Sequence, residues 1–204
     1  MSCVAPRGAW SDREAAVAVE AELKARLRNP EQVRQRLAER VSAEHSVYAD
    51  RYFDYPDRRL TAAGYEVRLR TVTQDAGDLR SLLTFKEPAV DAASDSKPEH
   101  ETSVGDPNAV APLLGALGLV ELIAFEKRCT NYRFTAHGRE LLATVVEVPE
   151  LDGETFVEVE TLTADGDVDA ALDVVRHVLD ELGVSTDELT SETYTGAVEA
   201  RRHA

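Results

Sequence analysis

Val17–Leu27, read as V-A-V-E-A-E-L-K-A-R-L, is the stretch that decides the fold. Its odd-numbered residues are all apolar, and its even-numbered residues include Glu20, Glu22, Lys24 and Arg26. This period of two predicts a β-strand with one apolar and one charged face, because an amphipathic helix needs apolar residues three and four positions apart. Carboxylates and an ammonium group on one strand face indicate an enclosed polar cavity that holds a metal ion and an anion.

The same alternation recurs along the chain. Polar and charged side chains two residues apart occur in four further strand-like segments: Arg68 and Arg70, Thr84 and Lys86, Glu99 and Glu101, and Glu158 and Glu160. A solvated face of an antiparallel sheet explains any one such pair. Five strands with charges of both signs instead favour a sheet closed into a barrel with a charged interior. Since an unpaired buried charge costs several kcal/mol, these charges must pair with one another or with a ligand.

Turn and capping signals divide the chain into about eight strands and three or four helices, which predicts an α+β fold class. Asn29-Pro30 and Asp106-Pro107 each supply a helix N-cap followed by a first-turn proline. Residues 167–182 form a long amphipathic pattern. The predicted architecture is a closed antiparallel eight-stranded β-barrel with helices packed outside. Three segments are expected: a disordered leader over residues 1–13, the barrel domain over residues 14–185, and a C-terminal helix or tail over residues 186–204.

The composition limits the classes of partner. The 204 residues include 38 acidic and 23 basic side chains, and the net charge of −15 argues against a nucleic-acid binder or a protein of anionic membranes. A local basic cluster must therefore hold any anionic ligand. Cys3 and Cys129 are too few for a disulfide framework and lack metal-ligand spacing, which fits a reducing compartment. The sequence has no apolar run of about 18 residues and no signal-peptide pattern, so a cytoplasmic location is expected.

The charged residue types favour phosphate chemistry with a hard metal ion. Lys and Arg suit a polyphosphate, which Arg can bind through two parallel hydrogen bonds. Carboxylates would hold Mg²⁺ or Mn²⁺ ions that bridge the phosphates. Because the donors are hard oxygens and the sequence shows no cluster of His or Cys, magnesium or manganese is favoured over zinc or copper.

Five motifs occur in a fixed order: E-A-E-L-K at residues 20–24, Y-F-D at 52–54, G-Y-E-V-R-L-R at 64–70, L-T-F-K at 83–86 and F-V-E-V-E at 156–160. In order and content, between residues 17 and 182, they resemble the CYTH superfamily. This superfamily comprises the class IV adenylyl cyclases, the thiamine triphosphatases and the inorganic triphosphatases. The resemblance implies a closed antiparallel barrel called the triphosphate tunnel, with two bound Mg²⁺ or Mn²⁺ ions.

The resemblance also implies residue roles. The implied metal-binding carboxylates are Glu20, Glu22, Glu158 and Glu160. The implied triphosphate-binding cations are Lys24, Arg68, Arg70, Lys86 and Arg128. The implied catalytic residues are Glu20, Glu22, Lys24 and Glu158. Glu99 and Glu101 match an acidic pair with a supporting or second-metal role.

Two departures from the family pattern concern the site. Members close to the cyclases usually carry L-D-E-V before the final acidic strand, and the matching residues 145–148 read V-V-E-V. Val146 stands at the aspartate position, so either Glu147 replaces it as a metal ligand or one metal site is weaker. The strand at Lys127-Arg128 also has fewer cations than usual, and Arg133, on the opposite face from Arg128, is the residue available to compensate.

Three functions stay open at this point. The overall likeness favours a class IV adenylyl cyclase, which converts ATP to cyclic AMP and pyrophosphate. A triphosphatase that hydrolyses thiamine triphosphate, inorganic triphosphate or a nucleoside triphosphate would use the same tunnel. A non-catalytic polyphosphate- or nucleotide-binding module is kept open by Val146. In each case the expected partner is a small molecule with a triphosphate group, and neither a nucleic acid nor a membrane is expected as a partner. Because the CYTH family often forms homodimers, a homodimer is also possible.

Overall fold

The computed structural model describes residues 19–75, 77–90, 94, 96–164 and 166–204. Within them the strands are β1 (Val19–Arg26), β2 (Glu44–Asp54), β3 (Glu66–Gln74), β4 (Leu79–Lys86), β5 (Lys97–Val104), β6 (Val120–Ala136), β7 (Arg139–Glu147) and β8 (Thr155–Thr163). The helices are α1 (Pro30–Ala38), α2 (Arg59–Ala62), α3 (Pro107–Ala116), α4 (Val168–Glu181) and α5 (Tyr194–Arg202), and short 3₁₀ turns span Pro149–Leu151 and Thr186–Glu188. The predicted leader over residues 1–13 lies outside the described residues.

The strands of the described residues form one closed barrel in the order β1-β5-β4-β3-β2-β6-β7-β8, with every neighbouring pair antiparallel. The predicted fold class, an α+β protein with a closed eight-stranded antiparallel barrel and helices outside, is confirmed. β1 pairs with β8 along its whole length, from Val19 opposite Thr163 to Arg26 opposite Phe156. Closure gives the sheet an inner and an outer face, and alternate residues of each strand point to the interior.

The apolar face of β1 lies on the outside of the barrel, beneath two helices. Ala21 is buried there in one apolar core with Leu37 of α1 and Leu172 of α4. α1 begins as predicted at Asn29, whose side chain caps the helix before Pro30 in the first turn. Because this core buries the apolar face of β1, the charged face of the strand must point into the barrel.

A second apolar core lies outside β3 and beneath α3. It contains Val67 and Leu69 of β3 together with Val110 of α3. Since neighbouring side chains of a strand point to opposite faces, Arg68 and Arg70 must face the interior. The two outer cores thus orient the charged faces of strands from both sides of the barrel.

Asp54, the acidic residue of the Y-F-D motif, organises the turn that follows β2. Its carboxylate accepts hydrogen bonds from the Leu60 backbone N–H at 3.0 Å and from the Thr61 backbone N–H at 2.8 Å. Burial alone would raise the pKa of Asp54, but these hydrogen bonds hold it below its usual value. This part of the motif therefore fixes the start of α2.

Apolar and aromatic side chains fill one end of the barrel interior. This group, which we call the plug, consists of Tyr52, Phe125, Cys129, Val146 and Phe156, with Tyr194 and Val198 of α5 packed against them. Tyr52 and Val146 lie near the ends of β2 and β7, and Phe125 and Phe156 lie near the starts of β6 and β8, which meet at one end of an antiparallel barrel. Cys129 lies in the middle of β6, directly opposite Val146. α5 therefore covers that end.

The C-terminal helix is packed onto the barrel through buried Tyr194 and Val198. The boundary at residue 185 between the barrel domain and a separate C-terminal segment stays a prediction. Among the helices of the described residues, none combines the length and the apolar character that a membrane span requires.

Candidate active site

The barrel encloses a cavity of about 970 Å³ lined largely by charged side chains. Its lining includes the predicted residues Glu20, Glu22, Lys24, Arg68, Arg70, Lys86, Glu99, Glu101, Glu158 and Glu160. They come from β1, β3, β4, β5 and β8, and each reaches the interior because it lies on the inner face of its strand. The plug fills one end of the interior. The other end, which we call the mouth, is surrounded by Arg80, Arg133, Arg139 and Glu140.

Three carboxylates meet on the β1–β8 side of the cavity. One oxygen from each of Glu20, Glu22 and Glu160 lies within 4.8 Å of the other two, and Glu22 is directly opposite Glu160 across the two strands. Like charges in direct opposition repel each other. Burial, and then the charge of Glu158, raises the pKa of Glu22 to about 8. Burial, with Glu20 and Glu22, raises the pKa of Glu160 well above its usual value.

This set of donors fits a divalent metal ion. Carboxylate oxygens are the hard ligands that Mg²⁺ and Mn²⁺ prefer. A cation among the three groups would replace their mutual repulsion with attraction. Glu20, Glu22 and Glu160 are therefore the residues that would hold the ion.

Glu158, the fourth carboxylate predicted to bind metal, lies among cations. It is directly opposite Lys24 in the β1–β8 register. Burial would raise the pKa of Glu158, but Lys127 and Lys24 hold it below its usual value. The ammonium groups of Lys24 and Lys127 also lie 4.8 and 4.7 Å from the ring centroid of Tyr194, which is a cation–π geometry. Tyr194 of α5 thereby fixes two lysines at the plug end of the cavity.

Two further cations line the cavity. Lys86 Nζ lies 2.6 Å from Glu20 Oε2 and 2.8 Å from Glu99 Oε2. Arg68 Nη2 lies 3.4 Å from Thr84 Oγ1 and 4.0 Å from Glu99 Oε1. The Nε of Arg68 is buried and has no hydrogen-bond partner among the described residues. Because an unpaired buried N–H is unfavourable, this group is available to donate to an anionic ligand.

Arg70 is held by Asp50, for which no role was predicted. Arg70 Nε lies 2.7 Å from Asp50 Oδ1 and Nη2 lies 2.8 Å from Oδ2, a bidentate pair. Lys127 Nζ lies 3.7 Å from Oδ2. Burial would raise the pKa of Asp50, but Arg70 and Lys127 hold it below its usual value. Asp50 therefore stays charged and fixes the guanidinium that lines the cavity.

The family follows from a match over most of the chain. The sequence profile of the CYTH domain matches residues 18–194. This chain belongs to the CYTH family. The predicted resemblance is thereby confirmed for a stretch that includes every CYTH motif quoted above. No curated protein matches the chain at a significant level.

Solved structures share the fold of this CYTH chain at low sequence identity. The PH1819 protein from Pyrococcus horikoshii has a TM-score of 0.76 at 23% identity, covering 90% of this chain and 99% of that one. A candidate adenylate cyclase from Vibrio parahaemolyticus has a TM-score of 0.73 at 20% identity, and the match covers 88% of this chain and 97% of that one. HpAC1 from Hippeastrum is a candidate adenylyl cyclase with a dominant triphosphatase activity. It has a TM-score of 0.64 at 17% identity, and the match covers 90% of this chain and 95% of that one. At these identities the likeness establishes the fold.

Two residues assigned from the CYTH pattern lie outside the barrel. Arg128 and Glu147 are cross-strand partners on the outer faces of β6 and β7. Arg128 is exposed, and Glu147 accepts a hydrogen bond from Arg34 of α1. The predictions that Arg128 binds triphosphate and that Glu147 binds metal are therefore wrong. Because side chains alternate along a strand, the neighbouring Lys127 is the residue of β6 that lines the cavity.

Val146, at the CYTH aspartate position, faces the interior but belongs to the plug. It is fully buried in the same apolar cluster as Cys129 and Phe156. Since Glu147 points away from the cavity, it does not replace the missing carboxylate. Arg133 shares the inner face of β6 with Lys127 and lines the mouth, so it adds a cation there.

The two faces of β6 give a matched pair of substitutions. Lys127→Met should weaken the binding of inorganic triphosphate by about ten-fold or more, because a hydrogen bond to a charged group contributes about 1.5–3 kcal/mol. Arg128→Met, one residue away on the outer face, should leave the affinity unchanged. Isothermal titration in the presence of Mn²⁺ measures both. Loss of affinity in Arg128→Met, with normal affinity in Lys127→Met, would contradict the assignment of the inner face.

Proposed function

We propose that this protein is a divalent-metal-dependent enzyme that acts on a nucleoside triphosphate, with the conversion of ATP to cyclic AMP and pyrophosphate as its reaction. One observation carries the proposal. A cluster of three carboxylates and a set of buried cations line the same cavity, and one of these cations has an N–H group without a partner among the described residues. A metal–triphosphate complex carries the complementary charges, cationic towards the carboxylates and anionic towards the basic side chains.

The chain's own residues would hold the two parts of that complex separately. Arg68 and Lys86 would donate to phosphate oxygens from the β3–β4 side of the cavity, while Lys127 would do so from β6. In an acidic protein with a net charge of −15, these cations create the local positive field that an anion requires. Glu20, Glu22 and Glu160 would hold Mg²⁺ or Mn²⁺, which when bound supplies Lewis-acid neutralisation of the phosphate charge.

The size of the cavity supports a nucleotide as the substrate. Its volume of about 970 Å³ lies at the upper end of the range of about 300–1,000 Å³ for small-molecule sites. The triphosphate would occupy the charged centre, and the nucleoside would extend toward the mouth. In the cyclase reaction the ribose 3′-oxygen forms a bond to the α-phosphorus while the bond to the bridging oxygen breaks, so that pyrophosphate leaves. Such in-line displacement depends mainly on positioning and charge neutralisation.

Hydrolysis of the triphosphate is the second candidate function. Two observations favour it. HpAC1, a structural neighbour and candidate adenylyl cyclase, has a dominant triphosphatase activity. Val146 also stands where cyclase-like sequences usually carry a carboxylate. In this reaction the oxygen of a water molecule forms a bond to the terminal phosphorus while the bond from that phosphorus to the bridging oxygen breaks. The diphosphate part of the substrate is the leaving group, and the attacked phosphorus is released as orthophosphate. The substrate would be thiamine triphosphate, inorganic triphosphate or a nucleoside triphosphate.

Product analysis distinguishes these reactions. The protein is incubated with ATP, inorganic triphosphate or thiamine triphosphate, with Mg²⁺ or Mn²⁺, and the products are separated by ion-exchange chromatography. Cyclic AMP with pyrophosphate is the expected result. Orthophosphate release without cyclic AMP would replace the cyclase proposal with the triphosphatase. Tight binding without turnover would contradict both and leave a binding module.

A cytoplasmic location and a homodimer remain predictions at this point. The buried free thiol of Cys129 agrees with a reducing compartment. Cell fractionation tests the location, and light scattering of the purified protein tests the oligomeric state.

A further inference from the structure

A second group of side chains that offer possible metal-ligand atoms lies on the outside of the barrel. His137 occupies the turn between β6 and β7, and His177 and Glu181 lie one helical turn apart on α4. His137 Nε2 lies 3.0 Å from Glu181 Oε1, and His177 Nε2 lies 3.5 Å from the same oxygen. Donor atoms from two separate elements therefore converge on one point of the surface.

The separations between these donors suit a small four-coordinate ion. Zinc binds histidine nitrogen at about 2.0–2.1 Å and carboxylate oxygen at about 2.0–2.2 Å in tetrahedral geometry, which places neighbouring donors about 3.3 Å apart. The observed 3.0 and 3.5 Å lie on either side of that value. One donor atom from each of the three residues lies within 4.8 Å of the other two. Closing the site therefore requires only small movements of exposed side chains.

Two arginines of the neighbouring α1 region orient Glu181, the carboxylate of this group. Arg40 Nη2 lies 2.7 Å from Glu181 Oε2 and so leaves Oε1 facing the two imidazoles. Arg36 donates a hydrogen bond to the backbone carbonyl of Glu181 at 2.9 Å. Partners that fix a ligand through its other oxygen are typical of metal sites. All three donors are solvent-accessible, so a water molecule can complete the coordination.

We propose that His137, His177 and Glu181 form a zinc site on the outside of the barrel, distinct from the carboxylate cluster of the interior. Two imidazoles and one carboxylate favour zinc over the magnesium or manganese expected in the cavity. The ion would tie the β6–β7 turn to α4. Gly138 and Arg139, which follow His137 directly, line the mouth of the cavity, so occupation of the site would also fix one side of the mouth.

Zinc binding to the full chain tests this inference. Titration with Zn²⁺ in excess Mg²⁺, followed by calorimetry, should give one tight site per chain. His177→Ala and Glu181→Gln should each weaken zinc binding by at least about 10–100-fold. Mutation of a residue that only hydrogen-bonds to a metal-ligating side chain already has an effect of this size. His100→Ala is the matched control, because His100 is also exposed and contacts a single carboxylate, Glu87, at 2.8 Å. It should bind zinc as the unaltered protein does.

A spectroscopic measurement distinguishes metal bound at this surface site from metal bound at the carboxylate cluster of the interior. Co²⁺ in a four-coordinate site with nitrogen ligands has stronger visible absorption than Co²⁺ in an octahedral oxygen site, and this absorption should vanish in His137→Ala but persist in Glu160→Gln. The inference is overturned if zinc affinity is unchanged in His177→Ala, or if Glu160→Gln rather than the histidine variants removes the tight site. It is also overturned if the group holds no zinc and only the hydrogen bonds to Glu181 remain.

Discussion

Glu160→Gln should lower kcat by about 10²–10³-fold without harming the fold, the scale known for the loss of one preorganised polar group in an active site. Glu160 faces Glu22 directly across β1 and β8 and shares a 4.8 Å cluster with Glu20 and Glu22. Glutamine keeps the shape of the side chain but removes one of the charges that would hold the metal ion. Product formation from ATP with saturating Mn²⁺ measures the loss.

The same substitution should make the metal-free protein slightly more stable. Burial and the neighbouring Glu20 and Glu22 raise the pKa of Glu160, so the folded protein disfavours the charged form that this side chain adopts in the unfolded chain at neutral pH. Because glutamine is never charged, Glu160→Gln should raise the free energy of unfolding by about 1 kcal/mol in a chelator at neutral pH. Urea denaturation followed by circular dichroism measures this change. Glu147→Gln is the control, since Glu147 lies on the outer face of β7 and pairs with Arg34. Normal kcat in Glu160→Gln, or a loss of kcat in Glu147→Gln, would contradict the assignment of the carboxylate cluster.

Arg70→Met should destabilise the barrel by about 3–5 kcal/mol, the cost of leaving one member of a buried ion pair without its partner. The Asp50 side chain is fully buried and receives a bidentate contact from Arg70 at 2.7 and 2.8 Å. Removing the guanidinium leaves that carboxylate with a longer contact to Lys127, at 3.7 Å, and with the charge of Arg68 nearby. Urea denaturation measures the loss of stability.

A double substitution distinguishes the contribution of Arg70 to the stability of the barrel from its contribution to triphosphate binding. Asp50→Asn combined with Arg70→Met removes both charges and should recover most of the lost stability. Triphosphate affinity should stay low in the double variant if Arg70 also contacts the ligand. Arg80→Met, at the exposed rim of the mouth, should change stability by no more than about 0.5 kcal/mol. An Arg70→Met protein as stable as the unaltered one would show that the Asp50 pair contributes little.

The inner and outer faces of β1, β3 and β8 could be predicted because apolar and charged residues alternate over residues 19–24, 66–70 and 157–160. In β1 the apolar residues Ala21 and Leu23 fix the face of Glu22, and burial under α1 and α4 enforces it. The inner face of β6 could not be predicted in this way, because Glu126, Lys127 and Arg128 are consecutive charged residues. The family pattern then pointed to Arg128, which lies on the wrong face.

Other parts of the site depend on contacts between distant segments. In β2, Asp50 and Arg51 are adjacent charges on opposite faces, so the local pattern does not reveal that Asp50 meets Arg70 of β3. Tyr194 lies beyond the predicted barrel domain and reaches Lys24 and Lys127 only because α5 covers the plug. The surface histidines, His137 and His177, are 40 residues apart and meet only when α4 packs on the barrel. Periodicity carries no information about such meetings.

The location of the metal and the triphosphate in one crystal tests the central claim most directly. Crystals grown with Mn²⁺ and a non-hydrolysable ATP analogue would be measured at the manganese absorption edge. The charged cavity predicts anomalous peaks among Glu20, Glu22 and Glu160, with the phosphates against Arg68 and Lys86. A nucleotide bound on the outside of the barrel, with no manganese peak beside those three carboxylates, would contradict it.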